Sequence, residues 1–236
     1  MLKKTIVFIF CTISLFATEE KEQVICLHGF MGASWNMDFL AKSLKKDGWD
    51  VLVWNYKSRD SLIQEHGIRL VDTIRIIAQQ HPGKPIHFVA HSMGGLVLLS
   101  ALNCPSCPNE AKIGKIVLIA PPLKGSAWGR WLSQFSLARW IAKDFSGREL
   151  MTKEEFDDLG RYPSSCKKMI IAGSLGFNPF ISGANDGTVA VAETFLDMPH
   201  KRIVIKRGHK TIVFSKKVAN SVRNFLKEEV SLEDVK

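Results

Sequence analysis

An α/β fold with a doubly wound, mostly parallel sheet is predicted by three observations. Apolar runs of four to seven residues recur along the 236-residue chain, and they are continuous instead of alternating, as strands buried on both faces are. Longer segments with helical apolar spacing separate them, the order expected of βαβ units. Gly48 and Pro82-Gly83 stop two of those segments where helices should end. A 46% apolar and 23% charged composition suits a globular domain with a full core, and the length suits one such domain.

The elements follow in order. "VICL" (24–27) is the first strand and runs into a loop at His28-Gly29. Trp35, Met37, Phe39, Leu40 and Leu44 mark a helix over 35–46. "DVLVWNY" (50–56) is the second strand, and Leu62, Ile63, His66, Leu70, Ile74 and Ile77 define a long amphipathic helix over 62–80. "IHFVAH" (86–91) is the third strand, with "GLVLLSALN" as the helix after Ser92. "KIVLIA" (115–120), "KMIIAG" (168–173) and "RIVIK" (202–206) complete the sheet, and residues 211–229 close the chain as a helix. No internal repeat or low-complexity tract interrupts a domain running from 23 to 230.

Residues 125–161 break the alternation. They hold Trp128, Trp131 and Trp140, three of the six tryptophans, with Phe135, Leu137, Ile141 and Phe145 among them. Two readings stand. One is an ordinary helix whose aromatic face packs on the sheet; the other is an apolar cap over the strand ends, lining a pocket for a hydrophobic substrate.

The first 17 residues read as an address. Lys3 and Lys4 precede thirteen uncharged residues, "TIVFIFCTISLFA", and the polar "TEEKEQ" follows. This is a basic start, an apolar stretch of signal-peptide length and a cleavage point after Ala17. The stretch is short of the roughly 20 apolar residues of a membrane span. Leu15 is large for a cleavage site, so the alternative to a periplasmic or secreted protein is one anchored by an uncleaved segment. The formal charge of +9 describes a solvated basic surface or one drawn to anionic lipid or acidic partners. Nucleic acid is not an expected partner, because the basic residues are scattered and no binding motif accompanies them. "CPSC" at 104–107 has no second Cys/His pair to complete a zinc site, and Pro105 and Pro108 mark a loop, not a helix start. A local disulfide or two idle thiols are the remaining readings.

The chemistry gathers at the carboxyl ends of the strands, where ligands of open α/β sheets bind. Ala90-His91-Ser92-Met93-Gly94 has the form of the nucleophile elbow, a sharp strand-to-helix turn that exposes a serine oxygen, with Ala in the first small position. A serine hydroxyl needs a base, and the base needs an orienting carboxylate. Asp186, in the turn-rich "GANDGTVAV", and His209, after the last strand in "KRGHKTIV", occur in the expected order serine, acid, histidine. Asp197 and His200 are the substitutes, but they precede the last strand and fall at its opposite end. The oxyanion of a tetrahedral intermediate needs two donors. The backbone N–H groups of Met93 and, in "LHGFMG", of Phe30 are the candidates, with His28 bracing that loop. Met31, Trp128 and Trp131 are the candidate substrate-binding side chains.

The blocks "LHGFMGASWNM", "VAHSMGGLV", "APPLKGS", "NDGTVAV" and "GHKTIV" resemble the α/β-hydrolase superfamily, in particular its small bacterial lipases and esterases, which are similar to GPI-inositol-deacylase-like proteins. The resemblance runs from about residue 23 to 229, with all blocks in order; Ala90 stands where glycine is commoner. It implies a Ser92–Asp186–His209 triad, an oxyanion hole of Phe30 and Met93, and hydrolysis of small-molecule or lipid esters with no metal and no other cofactor. It also implies that "APPLKGS" packs beneath the site ahead of the cap. The same triad serves acyltransferases and thioesterases, and a binding module could keep the fold without the catalysis.

Overall fold

The computed structural model describes residues 21–142 and 145–228. The segment 1–17, read above as a signal peptide or anchor, lies outside the described residues, as do 229–230 at the end of the expected domain. No helix among the described residues is long and apolar enough to cross a membrane.

Six strands form one sheet: β1 (Gln23–Leu27), β2 (Asp50–Trp54), β3 (Ile86–His91), β4 (Ile116–Ile119), β5 (Lys168–Gly173) and β6 (Lys201–Ile205). Their order is β2-β1-β3-β4-β5-β6, and every neighbouring pair is parallel. The chain lays β2 on one side of β1, then crosses back and adds β3 to β6 on the other. The direction of winding therefore reverses between β1 and β3, which opens a crevice at their carboxyl ends. Register places Leu27 opposite Ala90, so both strands deliver their following loops to that crevice.

Alternate residues supply two cores. Ile25, Leu27, Phe88 and Ala90 pack with α2 (Ile63–Gln80) and α3 (Met93–Asn103). Val24, Cys26 and Val89 pack on the other face with α1 (Asp38–Lys46) and the C-terminal helix. Both faces being covered explains the continuous apolar runs.

Two boundaries differ from the expectation. The first helix opens as a 3-10 turn (Ser34–Met37) because the Asn36 side chain takes the Ala33 N–H at 2.7 Å, before α1 begins. The expected closing helix is broken at Ser215, whose backbone is extended and whose hydroxyl caps the Val218 N–H; a 3-10 turn (Ile212–Phe214) precedes the break. Ser/Thr side chains compete with the helix for backbone donors in this way.

The 125–161 segment is not one helix lying on the sheet. It forms α4 (Ala127–Leu132), α5 (Ser136–Ala142) and α6 (Ser146–Thr152), followed by a 3-10 turn (Asp157–Leu159). Ser126 caps α4 through the Gly129 N–H at 3.1 Å, and the Ser133 hydroxyl turns back onto the Arg130 carbonyl at 2.6 Å. Phe135, Leu137 and Trp140 are exposed instead of packed on the sheet. The final helix, α7 (Lys216–Lys227), is tied to the end of α1 by Asp47, which meets both Arg223 and Lys227. Those two cations hold the Asp47 carboxyl down at about 2.

Candidate active site

Ser92 sits where β3 passes into α3, with φ 53° and ψ −126°. A non-glycine residue rarely adopts this backbone, and here neighbours over-determine it. The Ser92 N–H donates to the Ile119 carbonyl at 2.8 Å, and the Ser92 carbonyl accepts from Gly95 at 2.9 Å. The turn also needs close backbone passage. A Cβ on Gly94 would stand 2.7 Å from the His28 carbonyl oxygen, and one on Gly29 would stand 2.8 Å from the Ser92 Cβ. The glycines after β1 and after Ser92 thus let the "HGFMG" loop lie against the serine.

The loops after β5 and β6 bring the other two residues to it. The His209 ring lies 2.9 Å from Ser92 Oγ through Nε2 and 2.7 Å from Asp186 Oδ2 through Nδ1. A carboxylate only accepts, so the proton of the neutral imidazole resides on Nδ1, leaving Nε2 free to accept the serine hydroxyl hydrogen. Asp186 Oδ1 is occupied by the N–H groups of Thr188 (3.0 Å) and Val189 (2.8 Å), and the His209 N–H donates to the Asp186 carbonyl at 2.9 Å. The Asp186 side chain is 1% exposed and that of His209 11%, so the pair is sheltered while the ring edge reaches the serine. Asp197 and His200 stay at the start of β6; His200 Nδ1 donates to the Met198 carbonyl at 2.7 Å.

The β1 loop is built to hold a turn. The Gly32 N–H donates to the Gly29 carbonyl at 3.1 Å, and the Met31 N–H, at a residue with φ 54°, donates to Ser58 Oγ at 2.9 Å. Beneath it Tyr56 donates to the His28 carbonyl at 2.7 Å and stacks on the His28 ring at 4.3 Å. The N–H groups of Phe30 and Met93 have no hydrogen-bond partner among the described residues.

A cavity of about 420 Å³ lies between this sheet edge and α4–α6. Ser92 and His209 face it, with Phe30 and Met31 on one wall and Trp128 and Leu150 on another. Most of its lining is apolar and it includes no Asp or Glu. Trp131 is not part of that lining. It stacks with Trp128 (4.8 Å) and Phe180 (4.0 Å), which also meet each other at 5.9 Å, joining α4 to the 174–181 loop.

Several contributors carry no motif signal. His91, read in the sequence only as a place within the elbow, donates from Nε2 to the His209 carbonyl at 3.0 Å, since a carbonyl can only accept. Burial, and next the nearby His209, push its pKa down to about 3, which keeps it a neutral donor. Glu193 takes the N–H of Ala127 at 2.5 Å and that of Ala190 at 2.7 Å, fixing the start of α4 to the Asp186 loop. Glu149 takes the Ile63 N–H at 2.8 Å and fixes α6 to the start of α2. Cys104, Cys107 and Cys166 are free thiols, as is Cys26 in β1. Among the described residues no cluster of three or more His, Cys, Asp or Glu side chains is arranged to hold a metal ion.

A serine, a histidine and an aspartate in one hydrogen-bonded row, at the switch point of an all-parallel sheet, define the class of α/β-hydrolases. Residues 18–175 match the family described as "Serine aminopeptidase, S33", and the chain belongs to that α/β-hydrolase family, with a lipase- and esterase-like fold. Over 116 residues it is 33% identical to the probable lysophospholipase BODYGUARD 4 of Arabidopsis thaliana, a match that covers 44% of this chain and 26% of that one. The fold is shared with the lipase BlEst2 of Bacillus licheniformis. Its propeptide form has a TM-score of 0.74 at 21% identity, covering 89% of this chain and 51% of that one, and its mature form 0.71 at 21%, covering 87% and 92%. The phospholipase PlaB of Legionella pneumophila superposes with a TM-score of 0.69 at 16% identity, over 91% of this chain and 61% of that one. The chain thus spans about a quarter of the plant relative and about half of the propeptide-form lipase.

Proposed function

We propose that the protein is a carboxylic ester hydrolase acting on apolar acyl esters, lipids among them. The observation that carries this reading is the His209 ring held between Ser92 Oγ and Asp186 under an apolar cavity. Ser92 Oγ attacks the ester carbonyl while its proton passes to His209 Nε2, and Asp186 stabilises the imidazolium that forms. The carbonyl oxygen, now negative, accepts from the free N–H groups of Phe30 and Met93. Collapse of the tetrahedral intermediate breaks the bond to the alkoxy oxygen, which takes the proton from His209 and leaves as the alcohol. Water, deprotonated by His209, then attacks the acyl-serine and releases the carboxylic acid, regenerating the hydroxyl of Ser92.

The description of the matched family raises an amino-terminal peptide as substrate. Its ammonium group would call for a carboxylate in the cavity, and the lining supplies none, while Lys210 at the edge adds a positive charge. Apolar acyl groups suit the lining better. At about 420 Å³ the cavity is larger than the roughly 150 Å³ apolar cavity that takes up a benzene ring, which leaves room for more than a short acyl group. Export, or anchoring through residues 1–17, belongs to the same proposal and rests on Lys3, Lys4 and the uncharged stretch after them; mass measurement of the protein from its native host tests cleavage after Ala17.

Hydrolysis of p-nitrophenyl esters from acetyl to palmitoyl, by wild type and a folded Ser92→Ala variant, tests the reading. Turnover that peaks at medium or long chains and vanishes in the variant supports it. Activity that survives in the variant overturns the role of Ser92, and a steady fall with chain length overturns the apolar-acyl preference. Addition of an alcohol acceptor separates hydrolysis from acyl transfer by its products.

A further inference from the structure

Around the cavity large apolar side chains stand exposed. On α5 and the turn before it, Leu137 is 67% and Trp140 77% exposed, with Phe135 beside them. On the 174–181 loop, Leu175 is exposed and Phe177 fully so. Large apolar side chains that cluster on a domain's surface mark an interaction surface. The two groups are joined: Phe180 of the loop stacks on Trp131 of α4 at 4.0 Å. The loop in turn touches the chain after β6, where the Leu175 N–H donates to the Arg207 carbonyl at 3.2 Å.

That third segment supplies charge. Residues 201–227 contain nine Lys and Arg and no Asp or Glu. Lys201 and Arg223 are engaged in ion pairs, whereas Lys206, Arg207 and Lys210 are exposed and have no ion-pair partner among the described residues. Residues 125–142 carry two arginines and no acid, and 174–185 carry no charge at all. Behind Ala142 and Met151, which also line the Ser92 cavity, a second cavity of about 500 Å³ opens on the outer side of α5 and α6 and is lined by Arg139 and Arg148.

We propose that the protein docks on anionic lipid bilayers through this face. Leu137, Trp140, Leu175 and Phe177 enter the headgroup–acyl boundary, and Lys206, Arg207 and the arginines of the cap meet the phosphates. Aromatic side chains favour that boundary, and basic residues near an anionic leaflet each raise binding severalfold. Charge complementarity selects an acidic bilayer over a second copy of this strongly basic chain. The proposal deepens the ester-hydrolase reading by stating where the apolar substrate is met, and the docking itself needs no turnover.

The test therefore uses the full-length Ser92→Ala protein, with phosphatidylcholine vesicles that do or do not carry about one-fifth phosphatidylglycerol. Hydrogen exchange is the readout, because it reports the face itself whatever residues 1–17 do. Slower exchange over 134–141 and 174–181 is expected with the anionic vesicles, and it should weaken in high salt. Leu137→Ser combined with Phe177→Ser should lower the partition coefficient for anionic vesicles by about tenfold or more, and Lys206→Glu with Arg207→Glu should remove the preference for phosphatidylglycerol. In a background with Ser92 restored, both double variants should hydrolyse a soluble acetyl ester like wild type. Vesicle binding with unchanged exchange in the two segments would assign attachment elsewhere and overturn the proposal. So would a dimer in vesicle-free solution that already protects them. Loss of acetyl-ester turnover in the wild type would instead count against the ester-hydrolase reading and leave the exchange result standing.

Discussion

The Ser92–His209–Asp186 row and the three helices above it face each other across one cavity, yet they are held by different means. The row is held mainly by main-chain groups around the sheet edge: Ser92 by Ile119 and Gly95, Asp186 by the N–H groups of Thr188 and Val189, and His209 by the Asp186 carbonyl, with the His91 side chain on the His209 carbonyl. The helices are tied at their ends mostly by side chains, Ser126, Glu193, Glu149 and Ser146, with one main-chain bond from the Ser146 N–H to the Ser61 carbonyl at 3.1 Å, and across the middle by stacked rings. Atoms that must meet within a few tenths of an ångström are placed by the rigid part of the fold. On the proposed function, choice of acyl group would then fall to a thin layer that can change without disturbing them.

Four substitutions bear on this difference. The largest effect belongs to the row: Asp186→Asn should lower kcat by about 10⁴-fold, because an amide no longer fixes the Nδ1–H tautomer of His209. Its melting temperature should stay close to that of wild type, and steady-state kinetics with a melting curve check both. In the cap the effect should be selective. Trp128→Ala should raise KM for a decanoyl ester by about tenfold, from lost apolar burial, while acetyl-ester turnover changes less than about twofold. Equal losses on both esters would show that the cap also positions the row.

His91 gives the comparison a pH dependence. Its folded pKa of about 3 lies below the ordinary 6.5, so between those values the unfolded chain binds a proton that the folded chain does not. Stability from this group is complete above about pH 6.5 and is lost as the pH falls toward 3. His91→Gln, which can keep a donor to the His209 carbonyl, should flatten the denaturant midpoint across that window by one proton's worth. The smallest effect lies far from the site. Asp47 is held at about 2 by Arg223 and Lys227, below its ordinary 3.8, so its stabilisation is present above about pH 4 and lost as the pH falls toward 2. Asp47→Asn should remove that dependence, read in the same titration, with no change in kcat.

The same division governs what could be read from the sequence. The strands were legible because burial on both faces writes continuous apolar runs, and the elbow because a serine between small residues, strand before and helix after, has few other uses. Asp186 and His209 followed from chain order and the sheet edge that their loops share. The cap's form was not legible: the segment is rich in apolar side chains such as Phe135, Leu137 and Trp140, and composition does not say whether they are covered. Trp131 was expected at the substrate and instead stacks on Phe180, a partner 49 residues away that no local pattern announces. His91, Tyr56 and Glu193 act through backbone carbonyls and amides, so their roles depend on where distant main chain passes.

The most direct test of the account is covalent labelling by a fluorophosphonate, which reacts with an activated serine hydroxyl and mimics the tetrahedral intermediate. Mass spectrometry of the digested protein should find one adduct, on Ser92, absent from Ser92→Ala and formed far more slowly in Asp186→Asn. A folded wild-type protein that takes no label, or takes it at another serine, would contradict the assignment of Ser92 as the nucleophile.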